Sequence, residues 1–153
     1  MKRLALGLAL STILFLIYFS TPTQAEKTTG DEAAIRATVT DYIEGYFNSD
    51  AVRMEKAIHP HYLKHTISRR DGDLKMTEHT GLEMIQGVRA QGTLLRNGKP
   101  LSEADRKQQI TVLDVQGDIA SAKLVTARWA DYLTLAKWNG QWKIVSVVLR
   151  END

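Results

Sequence analysis

The alternation of apolar and polar residues is clearest in the last third of the chain. Ala127 to Leu149 holds two runs of aromatic and β-branched residues on either side of Asn139-Gly140. An Asn-Gly pair between alternating runs is the signature of a tight β-hairpin. Upstream, Arg106 to Val115 alternates as far as the turn Gln116-Gly117-Asp118, and Ile119 to Trp129 pairs back on it. Ala130 to Trp138 and Gln141 to Leu149 complete an antiparallel meander. The first half of the chain has a helical period instead. After a short disordered lead over Glu26 to Thr29, Ile35, Val39, Tyr42, Ile43 and Tyr46 recur on one face, predicting a helix over 30–48. Thr29-Gly30-Asp31-Glu32 reads as the capping box that opens it. Asn48-Ser49-Asp50 breaks this helix and caps a short second one over 50–58, which Pro60 ends. His61 to Arg70 reads as a strand and Asp71-Gly72-Asp73 as a turn. A second capping box, Thr80-Gly81-Leu82-Glu83, opens a third helix with Leu82, Met84, Ile85 and Val88 facing inward and Gly92 at its end. Asn97-Gly98-Lys99-Pro100 is a loop or a hairpin tip. Helices first and a meander afterwards predict an α+β fold, with N-terminal helices packed on one face of a curved, mainly antiparallel sheet.

The first 25 residues change how the composition is read. Lys2 and Arg3 precede an uncharged apolar run, Leu4 to Ser20, and Thr21-Pro22-Thr23-Gln24-Ala25 follows as a breaker and a small-residue cleavage site. This is the layout of a secretory signal peptide, and the run is slightly short for a spanning helix, although an uncleaved anchor is the alternative. With no cysteine near the cut, a lipoprotein anchor is not expected. The chain is formally +2, but removal of Lys2 and Arg3 leaves residues 26–153 with no net charge. No basic stripe remains to suggest nucleic acid or a membrane surface as a partner. The remaining length suits one domain with one core. The absence of cysteine removes a disulfide framework and thiol chemistry. The protein is therefore expected to be exported, periplasmic or extracellular, with 26–153 as a single domain and no stable membrane anchor after cleavage.

The element order, together with Asp131-Tyr132-Leu133, Leu135, Lys137, Gly140 and Trp142-Lys143-Ile144, resembles the nuclear transport factor 2-like superfamily. Within it the chain is most similar to the lumazine-binding-like group, itself similar to SnoaL-type and ketosteroid-isomerase-type proteins. Ala57-Ile58-His59-Pro60 fits the same group. The resemblance implies a cone-shaped (cystatin-like) fold whose helices close over a concave sheet, a cavity for a small, mostly apolar ligand, and frequent dimerisation through the outer sheet face. It does not carry a reaction, because one fold hosts many functions.

Candidate chemistry is sparse. Of the four histidines, His59, His61 and His65 would share a face on an unbroken strand and could bind a metal, but Pro60 interrupts them and no carboxylate stands at ligand spacing. An exposed or helix-capping set is the alternative, and no metal site is expected. His65 on the first strand and His79 before the third helix are the candidate catalytic pair, since histidine moves protons near neutral pH. The ketosteroid-isomerase pattern requires an Asp on that strand, and Tyr62 to Ser68 has no carboxylate. Tyr46 and Tyr42 either face a ligand or pack in the core. Tyr46, Trp129 and Tyr132 are the candidate ligand-binding residues. Asp131 is either a buried acid or base, or a turn residue capping backbone donors at the strand junction. Trp138 and Trp142 are expected as near cross-strand partners that hold the hairpin, with an exposed carbohydrate or partner platform as the alternative. No phosphate loop, nucleophile elbow or metalloprotease helix is present, and no cofactor is expected.

Three functions follow. One is an exported protein that binds a small apolar or aromatic molecule in a cavity of a few hundred Å3. Another is a dehydratase- or isomerase-type enzyme with His65 and His79 as proton carriers and Tyr46 as an orienting donor. The third is a non-catalytic homodimerisation module whose cavity is filled by its own side chains.

Overall fold

The computed structural model describes residues 24–92, 94–96 and 98–152. The expected signal peptide, apart from Gln24 and Ala25, lies outside the described residues. Helix α1 (Gln24–Asn48) and the short α2 (Ala51–Ala57) lead into β1 (Ile58–Arg70), β2 (Asp73–Thr80) and α3 (Gly81–Ala90). A two-residue hairpin, β3 (Leu95–Arg96) and β4 (Lys99–Pro100), and one helical turn, α4 (Glu103–Arg106), follow. The chain then runs through β5 (Gln108–Gln116), β6 (Ile119–Thr126), β7 (Trp129–Trp138) and β8 (Gln141–Glu151).

The main sheet has six strands in the order β2-β1-β8-β7-β6-β5. All pairings are antiparallel except β1 with β8, so the sheet is mixed. Asn139 (φ 49°) and Gly140 (φ 77°) make the left-handed turn that joins β7 to β8. The core lies between α1 and one face of the sheet. Ile35, Val39 and Ile43 of α1 are buried with Leu124, Leu133, Leu135, Ile144 and Val147 of the strands.

The boundaries that differ from the sequence reading have local causes. Helix α1 begins before Thr29 and runs through the proposed capping box, since Ala25, Glu26 and Lys27 are good helix formers. The box at Thr80 does form, with the Thr80 hydroxyl and the Glu83 carboxylate each accepting from the other's backbone N–H. Strand β2 replaces the expected turn-to-helix passage. It is an edge strand with every residue exposed, and its alternation is limited to Leu74 and Met76. Arg106 closes a helical turn capped by Ser102, which delays the next strand to Gln108. Leu82 is exposed rather than inward-facing.

Trp138 and Trp142 do not pair across the hairpin. Trp138 sits opposite Gln141 and Trp142 opposite Lys137, which puts the two indoles on opposite faces. Trp142 is buried and Trp138 exposed, edge-on to His59 with ring centroids 4.9 Å apart.

Gly45 is where α1 and α2 approach most closely. A Cβ there would lie 2.9 Å from the Met54 backbone nitrogen and 3.2 Å from the Asp50 carbonyl oxygen. Neither atom belongs to a flexible side chain, so the helices must separate to admit even a methyl group. Gly45→Ala is therefore expected to cost about 1–3 kcal/mol, measured by denaturant unfolding, despite alanine's better helix propensity.

Candidate functional site

The strand β1 has its polarity inverted. Tyr62, Lys64, Thr66 and Ser68 face the helices, while Leu63, His65 and Ile67 alternate onto the opposite face. Parallel pairing sets Lys64 beside Val147 and Thr66 beside Leu149, and Leu149 in turn faces Asp131 on β7. A lysine and an aspartate thus stand on one buried surface beneath α1. They form the floor of a cavity of about 230 Å3.

Tyr42, Ile43 and Tyr46 of α1 form its roof, and Met84 of α3, Trp129 and Leu149 its walls. His79, Arg128 and Glu151 are exposed and make the rim. The Tyr46 ring meets Trp129 edge-on at 5.7 Å, and the Arg128 guanidinium lies 5.8 Å from the Trp129 ring centroid. Trp129 is positioned by the preceding turn, where the Thr126 hydroxyl accepts from the backbone N–H groups of Arg128 and Trp129.

The floor is a polar network in an apolar surround. The Lys64 ammonium donates to the Tyr42 hydroxyl at 3.1 Å, and the Tyr42 and Tyr62 hydroxyls are hydrogen-bonded at 3.1 Å. The Trp129 indole N–H donates to Asp131 Oδ2 at 3.0 Å. Asp131 Oδ1 lies 3.9 Å from Lys64 Nζ, beyond hydrogen-bond distance, and has no hydrogen-bond partner although Asp131 is fully buried. Burial pushes the Asp131 carboxyl up from the ordinary carboxylate range, against the opposing pull of Lys64 and the Trp129 hydrogen bond. Burial likewise lowers the Lys64 amine, against the pull of Asp131. Burial, then the nearby Tyr62 and Asp131, holds the Tyr42 phenol well above its usual value. Desolvation thus drives both floor groups toward their neutral forms.

The candidate residues read from the sequence divide by sheet face. Tyr46, Trp129 and His79 line the cavity. His65 and His79 are not brought together. His79 pairs across from Lys64 and shares its face, whereas His65 pairs across from Glu78 on the other. There the His65 Nε2 lies 3.1 Å from the Glu78 carboxylate. Tyr132 is also on the outer face, 52 % exposed, with the Lys123 ammonium 5.2 Å from its ring centroid. Alternation from the inward Trp129 and Asp131 requires that placement. Asp131 is a buried acid, not a turn cap. His59 and His61 stack on each other at 5.5 Å, away from the cavity.

Lys64 was not singled out from the sequence, because a lysine in a strand ordinarily marks the solvent side. The detectable signal is the company it keeps: Leu63 and Ile67 claim one face, leaving Tyr62, Lys64, Thr66 and Ser68 to the other.

Solved structures with this arrangement of elements are numerous. A nuclear transport factor 2-like protein of unknown function from Shewanella baltica OS155 superposes with a TM-score of 0.63 at 20 % identity, covering 87 % of this chain and 99 % of its own. One from Silicibacter pomeroyi DSS-3 gives 0.59 at 22 % identity, covering 82 % and 98 %. A protein with a cystatin-like fold from Novosphingobium aromaticivorans gives 0.54 at 13 % identity, covering 83 % and 85 %. At these identities the likeness establishes the fold alone. None of the curated proteins matches the chain. The family model described as "Putative lumazine-binding" matches residues 30–150, and the chain belongs to that family, with the nuclear transport factor 2-like fold.

Proposed function

We propose that this is an exported small-molecule-binding protein whose ligand enters past His79 and Arg128 and seats its polar end on Lys64 and Asp131. The single observation that carries the reading is the unpartnered Asp131 Oδ1 on the floor of a cavity walled by Tyr46, Met84, Trp129 and Leu149. A buried carboxylate oxygen without a donor is costly, and a ligand N–H or O–H relieves that cost. Tyr46 and Trp129 offer aromatic surface to the ligand's apolar body. At about 230 Å3 the cavity is smaller than the usual drug-sized pocket, which favours a compact ring system. The family's description, naming lumazine binding, points toward a ligand of that size. The export proposal rests on Lys2, Arg3 and the apolar run to Ser20.

Native mass spectrometry of the protein purified from its own host tests the reading. The wild type is expected to carry a non-covalent mass increment. Met84→Trp, which fills the cavity from a half-buried wall position, is expected to fold and to lose that increment. Loss of the wall methionine's adaptable packing is expected to cost only about 1 kcal/mol.

The outer face supports a homodimer. Met76 stands opposite Ile67, and Tyr132 opposite Val148, with Leu74 exposed nearby. An exposed apolar sheet face of this kind marks an association surface. Val148→Glu places a charge at its centre and is expected to give monomer mass by light scattering while the wild type gives dimer mass. The folded stability of each subunit is expected to change by no more than about 0.5 kcal/mol.

A further inference from the structure

The ligand's polar end can be specified further, given the cavity reading above. We propose that Lys64 is an amine nucleophile that forms a Schiff base with a small apolar aldehyde or ketone held in the cavity.

Three geometric facts lead there. Lys64 is on the cavity floor and is buried, unlike the exposed Arg128 at the rim. It has a hydroxyl, Tyr42, 3.1 Å from Nζ, and a carboxyl, Asp131, at 3.9 Å. That second gap is too wide for a direct hydrogen bond, so a carbonyl oxygen can meet both groups. An ordinary structural ion pair would close the gap and satisfy both carboxylate oxygens, whereas Asp131 Oδ1 is buried without a hydrogen-bond partner. The burial that disfavours the ammonium form supplies the free electron pair that an amine nucleophile needs.

The step balances within these groups. Lys64 nitrogen attacks the carbonyl carbon, forming the C–N bond. The carbonyl oxygen takes a proton from the neutral Asp131 carboxyl, and the amine proton returns to the Asp131 carboxylate. The carbinolamine then loses its oxygen as water, with Asp131 again donating, and the remaining nitrogen proton goes back to Asp131. Net, one amine and one carbonyl give one imine and one water, with no oxidant or reductant. Trp129, donating to Oδ2, fixes the carboxyl while Oδ1 turns over protons.

The test is reductive trapping with benzaldehyde and cyanoborohydride, followed by peptide mapping, on the whole folded protein. Lys64 is expected to be alkylated several-fold faster than any surface lysine, since the cavity holds the aldehyde beside it and burial favours the neutral amine. Benzyl alcohol, the same ring without a carbonyl, is expected to protect Lys64 and to perturb Trp129 fluorescence. Asp131→Asn is expected to slow labelling at Lys64 without moving it to another lysine, and Lys64→Met to abolish the fast adduct. Mapping on the wild type keeps the test decisive if either variant fails to fold. Labelling spread evenly over the lysines, with benzyl alcohol still binding, overturns the Schiff-base proposal and leaves the cavity reading intact. Even labelling with no benzyl alcohol binding overturns both.

Discussion

Replacing Lys64 by methionine is expected to make the protein lose stability steadily as the pH rises above the ordinary carboxylate range, to a deficit of about 3–5 kcal/mol. The sign follows from Asp131. Its carboxyl is fully buried, and burial already raises it above the ordinary carboxylate range even with Lys64 beside it. Without the lysine, the opposing Coulombic pull is gone and the folded-state value rises further. The unfolded chain still ionises Asp131 near the ordinary value. Between the two values the folded protein holds a proton that the unfolded chain has released, so each increase in pH favours unfolding. Below the unfolded value both states are protonated and the contribution is fully restored. Lys64 itself acts in the opposite sense in the wild type: its lowered value adds stability that is complete above the unfolded lysine value and lost as the pH falls through the folded one. The wild-type profile is expected to be shallower, because Lys64 limits the rise at Asp131. Urea unfolding of both proteins across the range checks this, and Lys64→Met combined with Asp131→Asn is expected to flatten the profile again. A parallel pair of profiles for the wild type and Lys64→Met would show that Asp131 is not the buried acid described here.

Asp31→Ala is expected to cost about 2–4 kcal/mol in the same assay, because one carboxylate ties the hairpin to the helix above it. Asp31 Oδ1 accepts from the Lys137 ammonium at 2.6 Å and from the Trp142 indole N–H at 3.0 Å. Lys137 is on β7 and Trp142 on β8, directly opposite each other. Both donors therefore converge from the two arms of the hairpin on the first part of α1. Alanine leaves the buried indole N–H without this acceptor and removes the anion facing Lys137. Asp31→Asn keeps an acceptor of the same shape and is expected to recover about half of the loss, since a charged hydrogen bond is worth roughly twice a neutral one. Because α1 also carries Tyr42, Ile43 and Tyr46 over the cavity, loosening this tie is expected to weaken ligand retention as well.

Much of the fold was legible in the chain because periodicity reports burial. The meander, the Asn139-Gly140 turn, the α1 stripe from Ile35 to Tyr46 and the Thr80–Glu83 cap all follow from local rules. Strand β2 was hidden because an edge strand exposed throughout shows only the two alternating apolar residues Leu74 and Met76. The site was legible in half. Trp129 and Asp131 share a face by alternation, and Tyr46 follows the α1 stripe. Lys64 was obscured by the rule that charges face water. That rule fails on β1, where Leu63 and Ile67 take the outer face and Tyr62, Lys64, Thr66 and Ser68 the cavity face. The same inversion links the two functional proposals: a strand that turns Leu63 and Ile67 outward builds an association surface and a polar cavity floor at once. The histidines misled for a related reason. Adjacent positions on paired strands, His65 with Glu78 and Lys64 with His79, necessarily point to opposite faces, so only one of the two histidines could ever reach the cavity.

The space beneath α1, ending at Asp131, is the proposed ligand site. NMR of the tryptophan indole N–H groups during titration with small aromatic fragments tests it most directly, since each indole reports a different place. Trp129 donates to Asp131 in the cavity, Trp142 to Asp31 at the hairpin, and Trp138 lies exposed beside His59. The expected result is a saturable shift of the Trp129 indole N–H that is lost in Met84→Trp, with Trp138 unmoved. Fragments that shift Trp138 while leaving Trp129 in place, or that bind with no change at Trp129 at all, would contradict it.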